Sequence, residues 1–120
     1  MTEEQFQYLL QGLFDNIDGV RSAAIVSQEG LIVNSILEEG ISEIKLAAMT
    51  AAILSVAERV LNELKSGFLD VCILQGDEGN FAVMDAGSDL IVAVCLNIDA
   101  RMDICFIEMR KVAEQLKSIS

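Results

Sequence analysis

The residue types that most often do chemistry are sparse in this chain, and their spacing is poor for it. Histidine is absent, which removes the usual general base, the Ser/His and Cys/His nucleophile pairs and the commonest metal ligand. Carboxylates remain, with 19 Asp and Glu against 8 Lys and Arg. The acidic pairs Glu38-Glu39, Asp77-Glu78, and Asp85 with Asp89 offer the hard oxygens that Ca²⁺ prefers, yet none has the alternating spacing of an EF-hand loop. They read as solvated turns. Gly76-Asp77-Glu78-Gly79-Asn80 is glycine-rich, as a phosphate loop is. It carries no Lys, opens no helix and would meet phosphate with two carboxylates, so a hairpin turn is expected. Cys72, Cys95 and Cys105 are too few for a disulfide framework and form no Cys-x-x-Cys pair. Buried, reduced core thiols are expected of all three. No catalytic residue, metal site or cofactor is assigned, and the chain reads as a non-enzyme.

Composition narrows the remaining functions. The net charge of −11 and pI near 4.2 describe a surface that repels phosphate backbones and anionic lipid heads, with no basic patch to interrupt it. Neither nucleic acid nor a membrane surface is an expected partner. Met1-Thr2-Glu3-Glu4-Gln5 lacks the basic start of a signal peptide. The uncharged helical run from Leu46 to Ala57 falls short of the roughly 20 residues a membrane span needs. A cytoplasmic location is expected. The apolar fraction is 52% with only 5% aromatic and no Trp, so aliphatic and Ala side chains must build the core. A chain of 120 residues fits a single domain, 1–120.

The elements that must position any functional surface follow from periodicity. Thr2 with Gln5 is a capping-box start, and Phe6, Leu9, Leu10, Leu13, Phe14 and Ile17 recur at helical spacing, predicting a helix that ends near Asp15. Ala23–Val26 and Leu31–Val33 flank Ser27-Gln28-Glu29-Gly30, a hairpin signal in which Gly30 can take the positive φ of a tight turn. Ser42 caps a long helix that runs to about Lys65, with Gly67 as its stop. Leu69–Leu74, Phe81–Met84 and Leu90–Leu96 read as an antiparallel meander, and Asp99 as the cap of a last helix. The fold class is α/β, an α+β sandwich of order α-β-β-α-β-β-β-α with a five-stranded antiparallel sheet. Strands such as Val71-Cys72-Ile73-Leu74 are apolar on both sides and need cover on both faces. The terminal helices are expected on one face and the middle helix on the other.

The middle helix lacks a water-facing side. On a helical wheel Leu46, Met49, Ile53, Val56, Val60 and Leu64 form one stripe, widened by Leu54 and Leu61, and this is the expected sheet-facing side. Opposite lie Ala47, Ala48, Ala51, Ala52 and Ser55, before charge appears at Glu58 and Arg59. Small side chains there would let another backbone approach closely, which implies a protein partner. Four buried Ala methyls contribute only about 3 kcal/mol, whereas association costs at least about 4. A second contact is required, and a free sheet edge at Leu69–Leu74, immediately after the helix, is the candidate.

Element order and local sequence closely resemble the Roadblock / dynein light chain family across essentially the whole chain. The resemblance is most specific from Val20 through Ser35, above all in Ala24-Ile25-Val26-Ser27-Gln28-Glu29-Gly30-Leu31, and in the Ala-rich run Ala47 through Arg59. Weaker matches are Ala86-Gly87 and Glu108-Met109-Arg110. Arg101-Met102-Asp103 departs from the family pattern, where many members have a Leu-Gly pair. The resemblance implies a homodimer, or pairing with a related Roadblock subunit, through Ala47, Ala48, Ala51, Ala52, Ser55, Leu69, Val71 and Ile73. It also implies binding of a small Ras-like GTPase as a regulator or scaffold without nucleotide chemistry, with Glu58, Arg59 and Asn62 as partner-binding positions. The competing readings are a small-molecule sensor domain and a purely structural subunit of a larger assembly.

Overall fold

The computed structural model describes residues 1–118. Its elements are α1 (Glu3–Asn16), β1 (Val20–Ser27), β2 (Ile32–Ile36), α2 (Glu43–Glu63), β3 (Cys72–Gln75), β4 (Gly79–Asp85), β5 (Leu90–Asn97) and α3 (Met102–Lys117). The strands form one antiparallel sheet in the order β2-β1-β5-β4-β3, which makes β2 and β3 the two edges. The expected order, the hairpin and the meander are all present. So is the two-sided cover: α1 and α3 close one face around Leu10, Leu13, Ile25, Met84, Met109 and Leu116. The other face carries α2 over Ala24, Val26, Val83, Ile91 and Ala93.

Local chemistry accounts for the boundaries. Both arms of the α1 capping box form between Thr2 and Gln5, satisfying two otherwise orphaned N–H groups. The Ser42 hydroxyl accepts from the Lys45 N–H at the start of α2. At its other end the stop differs from the one expected at Gly67. Lys65 itself takes the left-handed conformation, φ 55°, while the Ser66 N–H donates to the Leu61 carbonyl at 2.9 Å and the Lys65 N–H to the Asn62 carbonyl at 3.1 Å. That is a Schellman motif with Lys where Gly is usual.

Two other boundaries move. β3 begins at Cys72, not Leu69, because only Cys72–Gln75 find ladder partners on β4. The preceding segment is drawn toward α3 by an ion pair between Arg110 and Asp70. The last helix starts at Met102 after Arg101, which makes no side-chain cap, and Asp99 stays outside it in a turn closed by the Ala100 N–H on the Asn97 carbonyl. Arg101 instead pairs with Asp103, whose carboxyl that hydrogen bond holds below its ordinary range. Gly76–Gly79 closes the β3–β4 hairpin, as expected of a turn and not of a phosphate loop.

Candidate functional site

The side chains that could meet a partner are set by how α2 sits on the sheet, and the helix is rotated from the expected orientation. Ala47, Thr50 and Leu54 are its buried residues, with Ala47 at 1% and Leu54 at 2% exposure. Leu46, Ala51, Ile53, Ala57 and Leu61 are half-buried beside them. The expected core stripe divides: Leu46, Ile53, Leu54 and Leu61 do turn toward the sheet, whereas Met49 is 61% exposed and Val60 50%, and Val56 and Leu64 are exposed as well. Of the expected interface alanines, Ala47 lies in the core and Ala51 is half-buried, whereas Ala48, Ala52 and Ser55 are exposed.

The cause is a close backbone approach, made by the chain's own hairpin. Gly30, at φ 89°, closes the β1–β2 turn against α2, and a Cβ added there would lie 3.4 Å from the Ala48 Cα and 3.7 Å from the Ala51 Cβ. Small side chains at Ala47, Ala48 and Ala51 leave room for that turn, so this side is pulled down and the aliphatic stripe is turned out. Charge is absent from α2 between Leu46 and Ala57, so along those turns polarity does not announce which side goes inward.

The expected sheet edge is in place. β3 pairs only with β4, so its outer N–H and C=O row is unpaired within the chain. Ile73 and Leu74, exposed, stand on opposite faces of that edge, since successive strand residues alternate. Val71 and Leu69 are half-buried just before the strand. Between α2 and the edge, Phe68 is 102% exposed, as much as an isolated residue. The structure thus exposes Met49, Val56, Val60 and Leu64 along one stripe of α2, with Phe68 beyond the end of the helix and Leu74 on β3, more large apolar side chains than the scattered single ones of an ordinary surface. Phe68, Leu64 and the outward valines were not expected from sequence. Their signal was the absence of charge on the stripe from Met49 to Val60.

Glu58, Arg59 and Asn62 come together at the C-terminal end of α2, where with Ser55, Phe68 and Asp85 they line a cleft of about 480 Å³. At the other end of the helix a cavity of about 160 Å³ lies between Leu46 and the sheet, walled by Ala24, Leu37, Phe81, Ala93 and Cys95. Among the described residues, no group of three or more His, Cys, Asp or Glu is placed to hold a metal ion, and no helix is long and apolar enough to cross a membrane.

The cysteines differ from one another. Cys105 is buried, but Cys72 and Cys95 are only half-buried: Cys72 stands on the edge strand β3 and Cys95 lines the cavity beside Leu46. Burial pushes the Cys105 thiol up to about 11. In the native protein at pH 8 iodoacetamide is expected to leave Cys105 unmodified, and urea should expose it, as peptide mass spectrometry can read. A raised thiol pKa keeps the native state protonated where the unfolded chain has ionised. Stability should therefore fall as pH rises from about 9 to about 11, by more than in a Cys105→Ala variant.

A Roadblock/LC7 domain family model matches residues 6–96 of the 120, most of the chain. The chain belongs to the Roadblock/LC7 domain family. An uncharacterized protein of Methanocaldococcus jannaschii is 26% identical over 119 residues, covering 99% of both chains. Among solved structures, a Roadblock/LC7 domain from Streptomyces avermitilis superposes with a TM-score of 0.86 at 20% identity, over 93% of this chain and 94% of that one. Myxococcus xanthus MglB superposes at 0.87 with 14% identity, over 96% and 94%. The Roadblock fold therefore extends through α3, beyond the residues the family model covers.

Proposed function

We propose that residues 1–120 act as one non-catalytic Roadblock subunit of the cytoplasm. It pairs with a second copy, or with a related Roadblock subunit, through α2 and β3, and presents the paired helices to a small Ras-like GTPase. The observation that carries this reading is the unpaired outer edge of β3 bordered by exposed aliphatic side chains of α2 and by Phe68. An edge of this kind invites continuation of the sheet by another chain. Energy favours it too. Burying the exposed half of each large apolar side chain from Met49 to Leu74 contributes about 1 kcal/mol, so two copies gain roughly 10 kcal/mol before any edge hydrogen bond, comparable with an association cost of about 4–15. The alanine methyls alone fell short of that cost.

Within such a pair, Ala48, Ala52, Ser55, Glu58, Arg59 and Asn62 are exposed residues of α2 outside its aliphatic stripe, available to a further partner. Family membership supports a GTPase there, with the nucleotide chemistry left to the GTPase. The net charge of −11 on each copy favours a basic partner surface, so binding should weaken as salt rises. Pull-down of the host's Ras-like GTPases, loaded with GTP or GDP, should capture one of them at low salt. Capture in neither nucleotide state would turn the reading toward a structural subunit.

A further inference from the structure

Four small side chains meet on the face of the sheet that α2 covers. Ladder pairing sets Ser22 beside Cys95 and Ala24 beside Ala93, so β1 and β5 present a patch with no bulky residue in it. Over that patch lies the cavity of about 160 Å³, and its cover is large: Leu46 from α2, with Leu37 and Ile41 from the connection between β2 and α2. We propose that this cavity is a binding site for a small uncharged apolar molecule about the size of benzene. The site lies within one copy of the chain, so it does not depend on the pairing set out above.

Size and chemistry select the occupant. Protein interiors pack as densely as organic crystals and hold few spaces larger than a water molecule, so a cavity of about 160 Å³ is a departure, and the small residues of β1 and β5 create it. A leucine at Ala93 would occupy much of it. Water suits the space badly, since a buried water needs several polar partners. The one hydroxyl of the lining belongs to Ser22, 2% exposed, and it already accepts from the Glu38 N–H at 3.0 Å. A charged or hydroxylated ligand would lose its hydration there with nothing to replace it. An apolar one has no such loss: an engineered apolar cavity of about 150 Å³ stays dry and takes up benzene.

The connection supplies the way in. It is pinned at Glu38, by that hydrogen bond and by the Arg21 guanidinium 3.5 Å from the Glu38 carboxylate. Two residues on, Gly40 sits at φ 90° with nothing within 4 Å of where a Cβ would lie. The Ile41 N–H reaches the Glu38 carbonyl only at 3.4 Å, a long bond. Ile41 can therefore move aside while Glu38 holds the rest of the connection to the sheet. Once seated, the ligand packs beneath Leu46. Leu54 is the one large side chain that buries itself fully between α2 and the sheet, so an occupant adds a second apolar anchor near the start of the helix.

The test adds benzene to the full chain, with phenol as its hydroxylated counterpart. Benzene at about ten times its dissociation constant should raise the melting temperature by roughly 5 °C, and it should bind at least about tenfold more tightly than phenol. At the same concentration it should slow alkylation of Cys95 by N-ethylmaleimide about tenfold, because the thiol lines the occupied cavity. Cys72, half-buried on the edge strand and outside the lining, should keep its rate, and peptide mass spectrometry reads both. Ala24→Leu and Ala93→Leu fill the cavity from two different strands, and either variant that keeps the far-ultraviolet circular dichroism spectrum should lose the melting shift. A shift that persists in such a variant, or a Cys95 alkylated as fast with benzene as without it, would overturn the site. Phenol bound as well as benzene would overturn its apolar class. Shielding of Cys95 that grows with protein concentration, and to which benzene adds nothing, would overturn the proposal in favour of a side chain from a second copy.

Discussion

Replacing Val56 and Val60 together by glutamate is expected to convert the paired protein into a folded monomer. Both side chains are about half exposed on the outward stripe of α2, so the substitutions remove little of the protomer's own packing. Glutamate is also a better helix former than valine. Across a two-fold axis the new carboxylates meet their own copies in a closing, water-poor contact. The loss combines forfeited valine burial with the desolvation of charges that find no partner. At least about 4 kcal/mol is expected, a dissociation constant roughly a thousandfold higher. Light scattering at micromolar concentration should report a protomer mass with an unchanged far-ultraviolet circular dichroism spectrum. Loss of GTPase capture in the same variant would tie partner binding to the pair. A dimer that survives both glutamates would place the interface elsewhere.

Leu54→Ala should be the most damaging single change on α2, for a different reason. The buried set of this helix is Ala47, Thr50 and Leu54, so Leu54 is the one large side chain that fastens α2 fully to the sheet. Its neighbours Val26, Ile91 and Ala93 belong to strands held by ladder hydrogen bonds and cannot collapse far into the space left. Leu→Ala at such positions costs about 3–5 kcal/mol, a large share of the roughly 5–15 that a domain of this size has. With an m-value near 1.5 kcal/mol/M, the urea midpoint should fall by about 2 M. The comparison must be made at one protein concentration, since pairing adds concentration-dependent stability. The same truncation at half-buried Leu61 should cost distinctly less.

Much of the fold was legible because its signals are local. The Thr2/Gln5 box, the Ser42 cap, Gly30 in its turn and the alternation of apolar runs with acidic, glycine-bearing turns each act within a few residues. Each reappears where expected. Failures fall where a neighbouring turn, a missing ladder partner or the placement of α2 decided the outcome. Asp99 has the chemistry of a cap, but the turn back to Asn97 kept it out of α3. Leu69–Val71 has the composition of a strand, yet lacks a ladder partner. Cys72 and Cys95 sit in apolar runs like any core residue. They stay half-buried because Cys72 falls on the edge strand and Cys95 beside the cavity under Leu46.

The candidate site divides along the same line. That the turns of α2 from Leu46 to Ala57 carry no charge, that an apolar strand-like run follows the helix and that histidine is absent could be read directly, because composition and periodicity are properties of a single segment. Which side of α2 goes inward follows from its packing against the rest of the chain. The alanines were expected to admit a partner's backbone, and the backbone found against Ala47, Ala48 and Ala51 is the chain's own turn at Gly30. Once that turn takes Ala47 and Ala51 inward, Met49, Val56 and Val60 must face out with Phe68 and the β3 edge. Without charge along its middle turns, the rotation of α2 is set by the shapes it packs against, and those come from residues far away in the chain.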